Sequence, residues 1–172
     1  DTLDAYKDVD GMTTLSLGAL VTGTAGFAPC TAEACMELLR AHGIDPAGRR
    51  VTIVGRSLVI GRPAALLLTR ADATVTLCHR KTPDLAARCR DADILLAAAG
   101  APGLITTDFV RPGQIVLDAG ATALPDGTLR GDVAPDAAAI TVCTPVPGGI
   151  GSVTTALLLR HTVQAAENLR HF

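Results

Sequence analysis

Gly55-Arg56-Ser57 and, after a gap, Gly61-Arg62-Pro63 stand between a β-branched run and a stretch of strong helix formers. Glycine lets backbone amides approach a phosphate closely, and a helix N-terminus favours negative charge. A strand, a glycine-rich turn and a helix are the context of a dinucleotide-binding loop. The spacing is G-x5-G rather than G-x-G-x-x-G, so by itself the loop also fits an ordinary βα turn.

The end of the following strand narrows the choice. In sheets that bind NAD, an Asp or Glu at this place meets the ribose 2′-hydroxyl. Here the run is Cys78-His79-Arg80-Lys81-Thr82, with no acid and two cations, and Arg56 adds a third. A guanidinium fork donates paired hydrogen bonds to oxyanions, so such a cluster suits a 2′-phosphate. The residues predict NADP over NAD. Standing alone, the loop also fits a solvated basic turn.

Gly100, in Ala98-Ala99-Gly100-Ala101-Pro102, and Gly120, in Asp118-Ala119-Gly120-Ala121, each follow a strand pattern. Bare backbone there lets a nicotinamide ribose lie close. Pro145-Val146-Pro147-Gly148-Gly149-Ile150-Gly151 is rigid and poor in side chains. It suits a wall for a flat ring, and equally a linker into the last helix.

Other chemistry is poorly supported. No Ser-His-Asp or Cys-His arrangement stands out. His79 follows a strand and is expected to face the cofactor. His42, His161 and His171 lie on or near helix ends and are expected at the surface. The five cysteines include no CxxC and no zinc-site spacing, so they read as buried reduced thiols of a cytoplasmic protein, with no metal. A net charge of −2 with scattered arginines gives no footprint for nucleic acid or an anionic membrane. No apolar run reaches the roughly 18–20 residues of a membrane span. Asp1-Thr2-Leu3-Asp4 is acidic, has no signal-peptide pattern and lacks an initiator Met, and is expected to begin an excised or processed piece.

The elements that must position these loops alternate along the chain. A short helix is predicted near Leu15–Val21. A second opens at Thr31 as N-cap and ends at Gly43. Strands are predicted at Arg50–Gly55, Ala73–Cys78, Ala92–Ala97, Gln114–Asp118 and Ala139–Val142. Helices are predicted from Gly61 to Ala71, over Leu85–Arg90 and over Ser152–Leu169. Strand and helix at this spacing imply βαβ units. The fold class is α/β, a Rossmann-like parallel sheet with helices on both faces. An apolar fraction of 48% with only 2% aromatics leaves Ala, Leu, Val and Ile to fill the core.

Taken in order, the motifs resemble one family. They are Lys7-Asp8-Val9-Asp10-Gly11, Pro29-Cys30-Thr31, Gly55-Arg56-Ser57 with Gly61-Arg62-Pro63, Ala73-Thr74-Val75-Thr76, His79-Arg80-Lys81-Thr82, Ala92-Asp93-Ile94, Gly131-Asp132-Val133 and Thr144 through Gly151. The chain is similar to the C-terminal, NADP-binding part of bifunctional methylenetetrahydrofolate dehydrogenase/methenyltetrahydrofolate cyclohydrolase, called FolD in bacteria. Single motifs are weak; the ordered set is specific.

The resemblance implies oxidation of 5,10-methylenetetrahydrofolate by NADP and hydrolysis of the methenyl product to 10-formyltetrahydrofolate, in one-carbon metabolism and purine biosynthesis. By match, Gly55, Arg56, Ser57 and Arg80 hold the NADP phosphates, while Thr31, Gly100 and Ala121 line the cofactor cleft. Asp10 matches the folate-site aspartate, and Pro147, Gly148 and Gly149 border both ligands. The family's catalytic lysine, with its tyrosine and glutamine partners, belongs to an N-terminal domain. Residues 1–28 then read as a residual segment of that folate and catalytic domain, and 29–172 as the NADP-binding domain. Lys7, Lys81 and Tyr6 match other places, so the polypeptide alone is expected to bind NADP without turnover. A homodimer is also implied.

Two segments depart from the family pattern. Ser152-Val153 stands where Pro-Met is usual. Ala119-Gly120-Ala121-Thr122 replaces Val-Gly-Ile-Asn, and the smaller Ala121 removes apolar contact with the cofactor. The competing readings are a dehydrogenase for another one-carbon carrier or an amino acid, and a non-catalytic dinucleotide-binding domain.

Overall fold

The computed structural model describes residues 2–4 and 7–168. Tyr6, Leu169 and His171 lie outside the described residues.

Helix α1 (Thr14–Thr22) starts where the Thr13 hydroxyl accepts the Ser16 amide at 3.2 Å and stops at Gly23, in the left-handed region at φ 76°. Helix α2 spans Cys30–Ala41. The expected cap at Thr31 is corrected: Pro29 precedes the helix, and Thr31 already lies in the first turn. The fixed φ of Pro29 sets the chain direction there without a side-chain cap.

The sheet follows: β1 (Arg50–Val54), β2 (Thr74–Cys78), β3 (Ile94–Ala97), β4 (Ile115–Asp118) and, past a two-stranded β5 (Thr122–Ala123) and β6 (Leu129–Arg130), β7 (Val142–Cys143). Helices α3 (Gly61–Arg70), α4 (Leu85–Arg90), α5 (Pro135–Ile140) and α6 (Ile150–Asn168) connect or cover these strands. Their order is β2-β1-β3-β4-β7, all parallel.

The predicted strand at Ala139–Val142 is corrected. Ala139 and Ile140 end α5, and the strand is Val142–Cys143. Pro135 starts that helix in the position proline favours, and an alanine-rich run sustains it. Helix α6 begins at Ile150, two residues before the expected Ser152.

The pleat of β3 shows how the core divides. Ile94 and Leu96 pack with Leu39, Leu68, Leu117, Ile150 and Leu157 beneath α2, α3 and α6. Leu95 and Ala97 face the opposite way, with Val54, Cys89, Val116 and Ala137 beneath α4 and α5. Successive strand side chains point to opposite faces, so a strand apolar throughout must be covered on both. Strand β2 lies at an edge, and its Thr74, Thr76 and Leu77 are exposed. Among the described residues, no helix is long and apolar enough to cross a membrane.

Candidate dinucleotide cleft

The sheet winds outward in two directions from β1: the chain leaves to β2, then crosses back to β3. Such a switch point opens a crevice at the carboxyl ends of the strands. There the Gly55 amide donates to the Cys78 carbonyl at 3.0 Å, and the Ala98 amide donates to Val54 at 2.8 Å. The loops after β1, β2 and β3 therefore leave the sheet side by side.

Gly55 has φ 127°, and a Cβ there would fall 1.9 Å from the Ala98 carbonyl oxygen. A Cβ at Gly61, the first residue of α3, would fall 2.0 Å from the Gly55 carbonyl oxygen. The two glycines let strand, turn and helix close tightly on each other. The predicted phosphate loop is thus more than an ordinary turn in its packing: both glycines are sterically required. Within it, the Ser57 hydroxyl accepts the Ile60 amide at 3.1 Å.

Arg56 follows Gly55 directly, and Arg80 is two residues beyond Cys78. Both are exposed, as are Arg62 and Lys81. Among the described residues none of these four cations makes an ion pair. His79 Nδ1 accepts the Lys81 amide at 3.1 Å, and the Thr82 hydroxyl accepts the His79 amide at 2.9 Å, which folds that loop on itself.

Two buried acids hold the other side of the crevice, and the sequence reading gave them no role. Asp132 accepts the amides of Ala99, Gly100 and Ala101 at 2.6, 3.0 and 2.8 Å, which bends the loop after β3 around its carboxylate. Asp118, at the end of β4, accepts the amides of Gly120, Asp132 and Val133 at 2.9, 3.0 and 3.0 Å. Burial pushes the Asp118 carboxyl above its usual range, and the charge of Asp132 adds to this; the three amides pull it back in part. The available signal was an acid closing a strand, Asp118, together with a second acid in Gly131-Asp132-Val133.

A cavity of about 450 Å³ opens beside these loops. Thr31, Ala121, Pro147, Gly148, Gly149 and Ser152 are among the residues that line it. Thr31, inside α2 rather than capping it, faces the same cavity as the loop before α6. The Val146–Pro147 peptide is cis. Gly55, Arg56, Ser57, Arg80 and Gly100 lie outside this lining, on the neighbouring loops. Asp10 is exposed, and its carboxylate accepts the Cys30 amide at 3.4 Å at the start of α2. A second cavity of about 470 Å³, lined by Met36, Leu39, Ile44 and Pro46, lies at the opposite, amino-terminal edge of the sheet, away from these loops.

The expected surface position of His161 is corrected. It is 2% exposed, beneath Phe27 and between Val9 and Glu33. Helical position alone misplaced it, because the segment before α2 folds back over that face of α6. His42 is exposed, as expected. Cys30, Cys35, Cys78 and Cys89 are buried thiols, and Cys143 is half-buried. Burial pushes Cys30, Cys35 and Cys89 up to about 12, and Cys143 up to about 11. None of these four supplies a thiolate near neutral pH. Among the described residues, no cluster of His, Cys, Asp and Glu forms a metal site.

The family described as tetrahydrofolate dehydrogenase/cyclohydrolase, NAD(P)-binding domain, matches residues 29–170. A bifunctional FolD protein of Rhodococcus jostii is 56% identical over 170 residues, covering 96% of this chain and 57% of the relative. A FolD dehydrogenase/cyclohydrolase of Campylobacter jejuni superposes with a TM-score of 0.91 at 43% identity, over 96% of this chain and 60% of that one. The Trypanosoma brucei enzyme, solved with NADP cofactor and inhibitor, superposes at 0.90 with 38% identity, over 99% of this chain and 61% of that one. The chain thus spans about three fifths of these relatives.

Proposed function

The chain belongs to the tetrahydrofolate dehydrogenase/cyclohydrolase family, through its NAD(P)-binding domain, and from that premise we propose that it supplies the NADP site of an enzyme acting on one-carbon derivatives of tetrahydrofolate. The reaction read from the family is oxidation of 5,10-methylenetetrahydrofolate to the methenyl form, followed by hydrolysis to 10-formyltetrahydrofolate. It would serve one-carbon metabolism, including purine biosynthesis, in the cytoplasm.

The observation that carries this reading is the steric closure at Gly55, which bares backbone at the switch point of the sheet. Gly55, Arg56 and Ser57 hold the phosphates. Arg56 and Arg80, exposed and free of carboxylate partners among the described residues, meet the 2′-phosphate. When bound, NADP accepts the hydride. Gly100, shaped by Asp132, lets the nicotinamide ribose lie against backbone. Thr31, Ala121, Pro147, Gly148 and Gly149 form the wall that the reacting rings rest on. Asp10 hydrogen-bonds the pterin. The catalytic benefit of this chain is positioning of one ring against the other.

In the same reading, residues 1–28 belong with the folate side and 29–172 form the NADP-binding unit; the family match beginning at residue 29 supports that division. The two lysines lie away from the cavity wall: Lys7 is an exposed residue of the segment before α1 and Lys81 is in the loop after β2. The 172-residue polypeptide therefore binds NADP without turnover. Exposed Val142, on edge strand β7, and exposed Leu129, on β6, offer apolar surface to a second copy in a homodimer.

Calorimetry with the purified chain tests the proposal. NADP is expected to bind more tightly than NAD. Equal affinities, or no binding of either, would refute the assigned pocket.

A further inference from the structure

His161 is 2% exposed in the middle of α6, and nothing proposed above uses it. Its Nδ1 lies 2.8 Å from the Val9 carbonyl oxygen, and its Nε2 lies 3.2 Å from Oε2 of Glu33 on α2. The Phe27 ring stacks on it at 4.5 Å, and the Cys30 Sγ is 3.5 Å from Nδ1. These contacts join four parts of the chain: α6, the first turn of α2, Phe27 just before α2, and Val9 ahead of α1. A carbonyl oxygen only accepts hydrogen bonds, so Nδ1 carries the proton donated to Val9.

The other charged groups around this knot are few. Arg160 of α6 binds Glu33 at 2.6 Å and Glu37 at 3.1 Å, and Arg40 also pairs with Glu37. Asp10 reaches the Cys30 amide at 3.4 Å. On its other side Asp10 follows Asp8, whose carboxylate is bound to the start of α1. Asp10 is itself exposed and its bond to the Cys30 amide is long, so its place depends on the anchors at Asp8 and Val9.

We infer that His161 is a positioning residue for the substrate side of the cleft: it ties the Val9 carbonyl, and with it Asp10, to the beginning of α2. Its purpose rests on the reading of Asp10 as a folate contact; the placement of Asp10 is a separate matter and is tested separately.

Amide hydrogen exchange followed by NMR on the 172-residue chain provides the test, with wild type, His161→Leu and His161→Asn. In the Leu variant the Gly11 and Cys30 amides are expected to lose about tenfold in protection, the effect of one ordinary hydrogen bond. The β3 and β4 amides keep theirs. Asn places an amide nitrogen where Nδ1 stood and restores most of the protection. Unchanged exchange in the Leu variant, equal loss across β3 and β4, or no rescue by Asn overturns the inference. Titration with a tetrahydrofolate analogue, wild type against Asp10→Ala, reports on the folate reading alone. Equal binding there would overturn the role of Asp10 and leave the exchange result standing.

Discussion

The carboxylate of Asp118 accepts the backbone amide of Asp132 at 3.0 Å, and Asp132 accepts three successive amides of the loop after β3. Two buried acids thus hold two cleft loops in series, and each acts through backbone rather than through a partner cation. Removing an acceptor from a buried donor costs its full desolvation. Asp132→Asn turns one acceptor oxygen toward N–H groups as a donor. The expected loss is about 2–4 kcal/mol of stability, with weaker NADP binding. Denaturant unfolding and calorimetry check both, and an unchanged midpoint would show that the loop holds its shape without the carboxylate.

Arg56→Ala and Arg80→Ala are expected to lower NADP affinity by roughly tenfold to a hundredfold each, the range of a charge-assisted hydrogen bond. NAD affinity should change little, because the lost partner is the 2′-phosphate. Neither arginine has an ion-pair partner among the described residues, so stability should be nearly constant. Parallel calorimetric titrations with the two dinucleotides decide it. A matched loss for both would place the arginines on the shared diphosphate.

Asp8 makes part of the fold acid-labile. Burial pushes its carboxyl up, but the Ser16 hydroxyl and the Thr13 and Met12 amides outweigh that and hold it below the usual 3.8. A lowered carboxyl adds stability that is fully present above the unfolded value and is lost as pH falls through the folded one. The wild-type chain should therefore lose more stability between about pH 5 and about pH 2 than Asp8→Asn does. Above that window Asp8→Asn should cost about 1–2 kcal/mol, the scale of a lost helix cap. Thermal unfolding of both proteins across the range measures the difference, and parallel curves would remove Asp8 as the cause.

Much of this was legible because local chemistry and global fold agree. The β-branched run at Arg50–Val54, Gly61 with Pro63, and Leu85–Arg90 each specify an element without help from distant residues. The strand at Val142–Cys143 was misplaced because alanine and isoleucine suit either element, and Pro135, six residues upstream of Thr141, decides for helix. His161 and Asp132 were opaque for another reason. Val9 and His161 are 152 residues apart, and Asp132 bonds a loop 31 to 33 residues before it. No spacing rule reaches such pairs. The phosphate loop was legible in kind, but its tight closure belongs to Ala98, just past a different strand, β3.

That closure gives the sharpest substitution. Gly55→Ala would place a methyl 1.9 Å from the Ala98 carbonyl oxygen, at a φ of 127° that L-residues rarely adopt. The clash is with backbone on both sides, so no side chain can turn aside, and β1 or β3 must move. A loss of about 3 kcal/mol or more is expected, from overpacking and backbone strain together. Gly100→Ala is the control. It also carries a positive φ, 64°, but a Cβ there meets nothing within 4 Å. Strain alone remains, about 1–2 kcal/mol. If denaturant unfolding gave the two variants equal losses, steric closure would not be what fixes the glycine at the switch point. A larger loss at Gly55, accompanied by loss of NADP binding, would tie the shape of the crevice to the contact between these two strands.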